Sequence, residues 1–269
     1  MQAEPAPRAK KRFGQNFLVQ PAVVQRIVAE LGPSPRDALV EIGPGRGALT
    51  RALLAALAPD QKLQVIELDR ELLPLLRDLA PAERLEVVHA DALKVDFGEL
   101  AATAGRRLRV VGNLPYNIST PLLFHLLTQA QAVEDMHFML QREVVERIVA
   151  APGSGTYGRL SVMLQAYCRV EMLFPVAPGN FYPVPKVDSA FLRLVPRRPA
   201  PIPPAQQAGF AELVRQAFAQ RRKTLANNFR GHLPAEIWQR LDIDPGRRAE
   251  TLSVEDFFRL AEALDTPGA

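Results

Sequence analysis

Apolar residues in the first half of this chain occur in two patterns that alternate along the sequence. Short continuous apolar runs are typical of buried strands, and the segments between them repeat apolar residues at helical spacing. This alternation predicts an α/β fold in which parallel strands are joined by right-handed helical crossovers. The predicted strands are Ala38–Ile42, Leu63–Ile66, Leu85–Val88, the run that ends at Val110-Val111, and Met136–Leu140.

The C-terminal part of the chain has a different pattern. The proline-rich stretch Pro196–Pro204 is typical of a linker, and the apolar residues beyond it repeat at helical spacing. One of the later helices follows the start pattern Ser253-x-x-Asp256. We therefore expect a Rossmann-like sheet domain and a small all-helical domain. The predicted parts are a basic N-terminal arm at 1–12, a catalytic domain at 13–197 and the helical domain at 198–269.

Polar or glycine residues follow four of the predicted strands at the point where each strand ends. They are Gly43 to Gly47, Glu67, Asp91 and Asn113. In open parallel sheets, ligands bind beyond the carboxyl ends of the strands. These residues are therefore expected to line one binding site.

The glycine turn fits a nucleoside cofactor. Gly43, Gly45 and Ala48 match G-x-G-x-x-A, and Glu67 lies about 20 residues further on, where it would accept both ribose hydroxyls. Asp91 would accept the adenine amino hydrogen, although aspartate is also a common helix N-cap. The turn alone leaves nicotinamide and S-adenosylmethionine (SAM) both open.

The segment Asn113-Leu114-Pro115-Tyr116 separates these two cofactors. An exocyclic purine amine is a poor nucleophile because its lone pair is delocalised into the ring. Acceptors for both N–H bonds, the Asn113 side-chain oxygen and the Leu114 carbonyl, would localise that lone pair toward a methyl group. Tyr116 would stack on the base and fix an in-line approach. The segment favours methyl transfer, with a β-turn and an aromatic plug as the structural alternative.

Four segments together resemble the rRNA adenine N6,N6-dimethyltransferase family. They are Gln15–Leu18, Glu41–Gly47, Asn113–Tyr116 and Asn180–Ser189. The asparagine-x-proline-aromatic motif occurs in other amine methyltransferases, whereas its combination with Gln-Asn-Phe-Leu is more specific. The resemblance extends from the basic arm to the helical C-terminus and implies the sheet of a SAM-dependent methyltransferase.

The resemblance also implies a substrate and the residues that act on it. The implied reaction is two methylations on each of two adjacent adenosines near the 3′ end of 16S rRNA, within the small ribosomal subunit or its precursor. Phe181 would be a second stacking residue on the target base, beside the catalytic segment of Asn113, Leu114, Pro115 and Tyr116. The implied SAM-binding residues are Asn16, Leu18, Gly43, Gly45, Glu67, Asp91 and Asn113.

The charge of the chain is compatible with an RNA partner. The net charge is +4 and the isoelectric point is about 9.4. The segment from Leu213 to Ala235 contains basic residues and no acidic one. Such a run is often only a solvated face, but asparagines and an aromatic residue within it favour binding to rRNA phosphates. The predicted RNA-binding residues are Lys10, Lys11, Arg12, Arg215, Arg221, Arg222, Lys223 and Arg230.

Several classes of protein do not fit the composition. The single cysteine, Cys168, excludes a disulfide framework and suits a reducing compartment. The four histidines lack metal-ligand spacing, so no metal is expected. No apolar run approaches the roughly 20 residues of a membrane span, and the N-terminus lacks the apolar core of a secretory signal. We expect a cytoplasmic monomer.

Three other functions remain open at this point. A related enzyme could dimethylate large-subunit rRNA and confer antibiotic resistance. An assembly factor could act mainly by binding immature subunits. A nicotinamide oxidoreductase would share the glycine turn, but the sequence shows no hydride-transfer partner beside it.

Overall fold

The computed structural model describes residues 9–10, 14–233 and 235–265. The chain divides into two compact units, Met1–Val145 with Glu171–Pro196, and Glu146–Val170 with Arg197–Ala269. The division at Pro196 lies one residue before the predicted boundary, and the second unit also includes residues 146–170. We describe each unit by itself.

A seven-stranded sheet forms the centre of the first unit, in the order β4-β3-β2-β5-β6-β9-β7. Strands β2 to β6 are parallel to one another, and β9 is antiparallel to β6. The predicted α/β class is therefore confirmed. The strands are β2 (Ala38–Ile42), β3 (Leu63–Glu67), β4 (Leu85–His89), β5 (Leu108–Asn113), β6 (Val133–Gln141), β7 (Cys168–Val176) and β9 (Ser189–Pro196).

A separate two-stranded sheet brings the N-terminal motif to the main sheet's core. Strand β1 (Phe17–Leu18) pairs antiparallel with β8 (Phe181–Tyr182), so that Phe17 lies opposite Tyr182 and Leu18 opposite Phe181. Leu18 and Phe181 are buried in one apolar cluster with residues of the helix that follows β1. This pairing fixes the position of the Gln-Asn-Phe-Leu segment.

Helices connect the strands of the first unit. The first begins with Pro21, whose fixed φ suits a first helical turn, and ends before Gly32, which has a φ of +53°. Its residues Val24, Ile27 and Leu31 are buried against the sheet-side core. The helices are α1 (Pro21–Leu31), α2 (Ala48–Ala56), α3 (Leu73–Arg77), α4 (Phe97–Ala104), α5 (Ser119–Thr128) and α6 (Arg142–Ile148), the last of which crosses the division between units.

The described part of the second unit is mainly helical and also contains residues 168–170, the start of β7. Its helices are α7 (Arg159–Tyr167), α8 (Gln207–Ala217), α9 (Leu225–Asn228), α10 (Ala235–Leu241) and α11 (Val254–Asp265). Helix α8 packs against α7 and α11, which explains why residues 146–170 belong to this unit. The predicted start of α11 is present as a reciprocal cap: Ser253 N donates to Asp256 Oδ2, and Asp256 N donates to Ser253 Oγ, each at 3.0 Å.

The apolar length of the helices is also informative. None of those in the described residues is long and apolar enough to cross a membrane.

Candidate active site

A cavity of about 270 Å³ lies at the carboxyl ends of β2, β3, β4 and β5. The structure brings the predicted cofactor residues and the Asn113 segment together around it. The predicted residues in its lining are Asn16, Leu18, Gly43, Gly45, Glu67, Asp91, Asn113, Leu114, Pro115 and Tyr116. The exception is Phe181, which is absent from this lining.

The glycine turn after β2 needs glycine for two reasons. Gly43 and Gly45 have φ values of +68° and +57°, in the left-handed region that disfavours side chains. A Cβ atom on Gly45 would lie only 2.8 Å from the ring of Phe17. Glycine at these positions therefore permits the backbone bend and leaves space for the ring of Phe17 in β1.

Glu67 is buried at the end of β3 and is held by backbone donors. Gly45 N donates to its Oε2 at 3.2 Å, and Asp69 N donates to its Oε1 at 2.8 Å. Burial raises the pKa of Glu67, while these N–H donors oppose that rise. A carboxylate has about four acceptor positions, so it can still accept from a bound diol.

Asp91 caps a turn and also lines the cavity, while its predicted contact with adenine stays a prediction. Its Oδ1 accepts from Leu93 N at 3.0 Å and caps a single 3-10 turn, Ala92–Lys94. The residue also lines the cavity at the end of β4. One carboxylate oxygen is used as the cap, which leaves the second for a ligand.

Asn113 is oriented by the N-terminal motif. Its Nδ2 donates to the Asn16 carbonyl at 2.7 Å, so the side-chain oxygen is directed away from that contact. Within the described residues, no donor reaches Asn113 Oδ1 or the Leu114 carbonyl. The neighbouring carbonyls are occupied: Pro115 O accepts from Ile118 N, and Tyr116 O from Ser119 Oγ. The two oxygens predicted to accept the amine hydrogens are thus the ones left available.

Tyr116 is half-buried and its hydroxyl is anchored. Its Oη lies 2.9 Å from Oγ of Ser189, a buried residue of β9. Burial raises the pKa of the Tyr116 phenol, so it stays neutral at physiological pH. The ring is fixed at both ends, by the turn and by this hydrogen bond, as a stacking surface would require.

Glu41 is a cavity residue that was not among the predicted site residues. It is 2% exposed, and Thr50 Oγ1 donates to its Oε2 at 2.7 Å. Burial raises its pKa to about 8, although the Thr50 hydrogen bond opposes the rise. A carboxylate inside the apolar run Ala38–Ile42 was the pattern that could have identified it.

Lys10 has a different setting from the one predicted. Its Nζ lies 2.7 Å from Asp69 Oδ1 and 2.8 Å from Glu71 Oε1, and Gln15 Nε2 also donates to Asp69. These contacts lower the pKa of the Asp69 carboxyl. Lys10 therefore ties its part of the chain to the end of β3, and its predicted role in RNA binding stays a prediction. Lys11 and Arg12 lie outside the described residues.

Phe181 does not stack in the cavity. Its ring is 2% exposed and packs in the core cluster with Leu18, Phe174 and Phe191. Because the two residues of β8 point to opposite sides, burying Phe181 exposes Tyr182. The predicted second stacking face is therefore not provided by Phe181 in this conformation.

The predicted basic residues of the second unit fall into two groups. Three are engaged: Arg215 pairs with Glu212, Arg221 lies 3.9 Å from Glu250, and Arg230 donates to Asn227. Arg222 and Lys223 are exposed, and neither has an ion pair with any residue that the structure describes. These two are the ones most available to phosphates.

The described residues include no group of three or more His, Cys, Asp or Glu side chains arranged to hold a metal ion.

A family model described as ribosomal RNA adenine dimethylase matches residues 6–266 of the chain. The chain belongs to the ribosomal RNA adenine dimethylase family.

Curated relatives of this dimethylase are similar over their whole length. The chain is 64% identical over 268 residues to ribosomal RNA small subunit methyltransferase A of Acidithiobacillus ferrooxidans, covering 100% of this chain and 99% of that protein. It is 51% identical over 263 residues to the protein of the same name in Pseudomonas aeruginosa, covering 97% of each.

Two solved structures have the same fold. A dimethyladenosine transferase from Plasmodium falciparum superposes with a TM-score of 0.78 and 26% identity, over 91% of this chain and 95% of that one. The 23S rRNA methyltransferase ErmE superposes with a TM-score of 0.71 and 26% identity, over 93% and 100%. The predicted methyltransferase sheet with a helical C-terminal part is thus confirmed.

Proposed function

We propose that this dimethylase uses SAM to place two methyl groups on N6 of each of two adjacent adenosines near the 3′ end of 16S rRNA. The substrate is the small ribosomal subunit or its precursor, and the enzyme acts in the cytoplasm as a monomer. The observation that supports this reaction is the pair of available acceptors, Asn113 Oδ1 and Leu114 O, beside a cavity whose lining suits a nucleoside. Identities of 51% and 64% to proteins named for the small subunit support the choice of substrate.

The cavity residues fit the proposed cofactor. Glu67 and Asp91 each keep carboxylate acceptor capacity for hydroxyl and amino hydrogens. Ile42, Leu68 and Ala92 add apolar wall for a purine ring. When bound, SAM supplies the electrophilic methyl group. Together, the carboxylates, the glycine turn and the apolar wall are suited to binding a nucleoside that carries a cationic tail.

The acceptor groups of the chain would activate the amine. Asn113 Oδ1 and Leu114 O accept the two N6 hydrogens of adenine, which draws the nitrogen lone pair out of conjugation with the ring. Tyr116 holds the base by stacking, and its bond to Ser189 keeps the ring in place. With N6 held by these groups for methylation, its displaced proton would pass to water. No strong base on the protein is required.

The second unit supplies the electrostatic contact with rRNA in this proposal. Arg222 and Lys223 are exposed, whereas Arg215 is paired with Glu212. Replacing both Arg222 and Lys223 by alanine should weaken binding to small subunits and reduce the slope of log K against log salt by about 1 to 2. Arg215→Ala is the matched control, with a smaller change because its charge is already offset.

The substrate is tested by mapping methylated nucleotides in rRNA. Cells with and without this protein are compared, and purified under-methylated small subunits and protein-free 23S rRNA are each incubated with the enzyme and tritiated SAM. We expect label only on the small subunits, at two adjacent adenosines of 16S rRNA. Label only on 23S rRNA would refute the proposed substrate and favour the large-subunit alternative.

A further inference from the structure

Residues 182–188, the rim segment, are attached at both ends to walls of the cavity. At one end, Tyr182 pairs with Phe17, which lines the cavity. At the other end, the segment leads into Ser189, whose hydroxyl lies 2.9 Å from Tyr116 Oη. The rim segment therefore runs from the cofactor side of the cavity to the side where the target base would stack.

The rim segment exposes apolar side chains to an unusual extent. Tyr182 is 58% exposed, Val184 63% and Val187 44%. Exposed apolar groups that cluster beside a cavity are typical of a binding surface. Pro183 and Pro185 restrict the backbone between them, so little conformational freedom would be lost when a ligand binds.

The ring of Tyr182 is supported from the protein side. The guanidinium carbon of Arg46 lies 4.8 Å from the ring centre of Phe17 and 5.9 Å from that of Tyr182. A cation held over an aromatic ring is stabilised by the ring's negative face. Arg46 thus links the exposed ring to the glycine turn and leaves most of that ring's surface open for an outside partner.

The charges along the rim segment suit a nucleic-acid strand. Lys186 is exposed between the two valines. Asp188 is the acidic residue of this segment, and it lies at the far end, with Oδ2 4.0 Å from Arg142 Nη1. An exposed aromatic ring followed by an exposed lysine is the combination that binds a base and its phosphate in single-stranded RNA.

We propose that Tyr182 stacks on the base of a nucleotide next to the target adenosine, and that Lys186 contacts a phosphate of the same strand. This assignment rests on the proposed function, in which one of two adjacent adenosines occupies the cavity. Its neighbour must then be held outside, where the rim segment lies. The buried Phe181 cannot provide that surface, whereas the exposed Tyr182 can.

The test uses the full-length chain, SAM and under-methylated small subunits. Steady-state methyl transfer gives kcat and the KM for subunits, and calorimetry gives the Kd for SAM. We expect Tyr182→Ala to raise the KM about tenfold, with the Kd for SAM unchanged, because stacking on one base is lost. Tyr182→Phe should retain the wild-type KM. Met172→Ala, at an exposed residue outside the cavity lining, is the matched control.

A KM for Tyr182→Ala equal to that of Met172→Ala would overturn the assignment of Tyr182 and leave the proposed function standing. A rise in the Kd for SAM as large as the rise in KM for subunits would also overturn the assignment, because Tyr182 would then act through Arg46 on the glycine turn. If the wild-type chain transfers no methyl group to small subunits, the proposed function fails and this assignment with it. A lowered salt dependence in Lys186→Ala, by about one unit of slope, is expected for the phosphate contact.

Discussion

The two sides of the cavity hold their polar groups in different ways. On the cofactor side, the carboxylates of Glu41 and Glu67 are buried and already accept hydrogen bonds from the protein. On the acceptor side, the Asn113 side-chain oxygen and the Leu114 carbonyl have no donor in the described part of the chain. The cofactor-side carboxylates are thus fixed by protein donors and keep some acceptor positions, whereas the two acceptor-side oxygens have no protein donor among the described residues.

This difference indicates which groups set the affinity for the cofactor and which act in methyl transfer. Buried groups that already accept protein hydrogen bonds keep a fixed geometry and bind a ligand through the lone pairs that remain. Acceptors without donors gain most when a substrate supplies the missing hydrogens. We therefore expect changes on the acceptor side to lower the rate of methyl transfer and changes on the cofactor side to weaken binding.

Asn113→Ala should have the largest effect. Removing the acceptor oxygen leaves the amine lone pair delocalised, so kcat should fall by about 10²- to 10³-fold, as for loss of one transition-state hydrogen bond elsewhere. The Kd for SAM should change much less. Single-turnover methyl transfer and calorimetry measure the two quantities. Asn113→Asp keeps an acceptor but loses the Nδ2 donor to the Asn16 carbonyl, so its rate should lie between those of wild type and the alanine variant. An alanine variant with the wild-type rate would contradict the proposed role.

Glu67→Gln should affect binding instead. The amide offers one oxygen where Gly45 N and Asp69 N each now have one, so one backbone donor loses its acceptor. We expect the Kd for SAM to rise about 10- to 100-fold. Saturating SAM should restore most of kcat. Glu86→Gln, at an exposed residue of β4, is the control. A lowered kcat of Glu67→Gln at saturating SAM would contradict the assignment of Glu67 to binding alone.

Glu41 should make stability depend on pH. Burial raises its pKa from 4.5 to about 8, so between these values the folded protein binds a proton that the unfolded chain has released. The free energy of unfolding contributed by this residue therefore falls as pH rises through that range, by at most about 1.4 kcal/mol per pH unit. Urea denaturation of wild type and Glu41→Gln from pH 5 to pH 8 measures the difference. Parallel profiles would show that Glu41 does not titrate there.

Lys10→Met should have the smallest effect. It removes the ion pairs with Asp69 and Glu71 that hold the N-terminal segment at the end of β3. Because the lysine head is near solvent, we expect SAM affinity to fall by no more than about fivefold, and less at high salt. Binding to small subunits should be unchanged. A large loss of RNA affinity would instead support the predicted role in RNA binding.

Local patterns were sufficient for much of the fold. The predicted strand Ala38–Ile42 begins and ends as the structure has it, and the glycine, acidic and amide residues at the strand ends line one cavity. The cause is general: a buried parallel strand is apolar throughout, and its carboxyl end faces the ligand. Helices α4, α6 and α7 were not predicted. Helix α7 packs on α8 and α11 in the second unit, and these contacts between distant segments are not visible in a local pattern.

The division between what sequence and structure decide is clearest at Phe181 and Tyr182. By itself, the sequence determined the α/β class, the residue types of the cavity and the family to which the chain belongs. Only the tertiary structure decided that Phe181 points into the core, that Tyr182 points outward and that Lys10 pairs with Asp69. A two-residue strand has no periodicity to show which face is buried. Its direction is set by a partner strand distant in the chain, through contacts that no local pattern encodes.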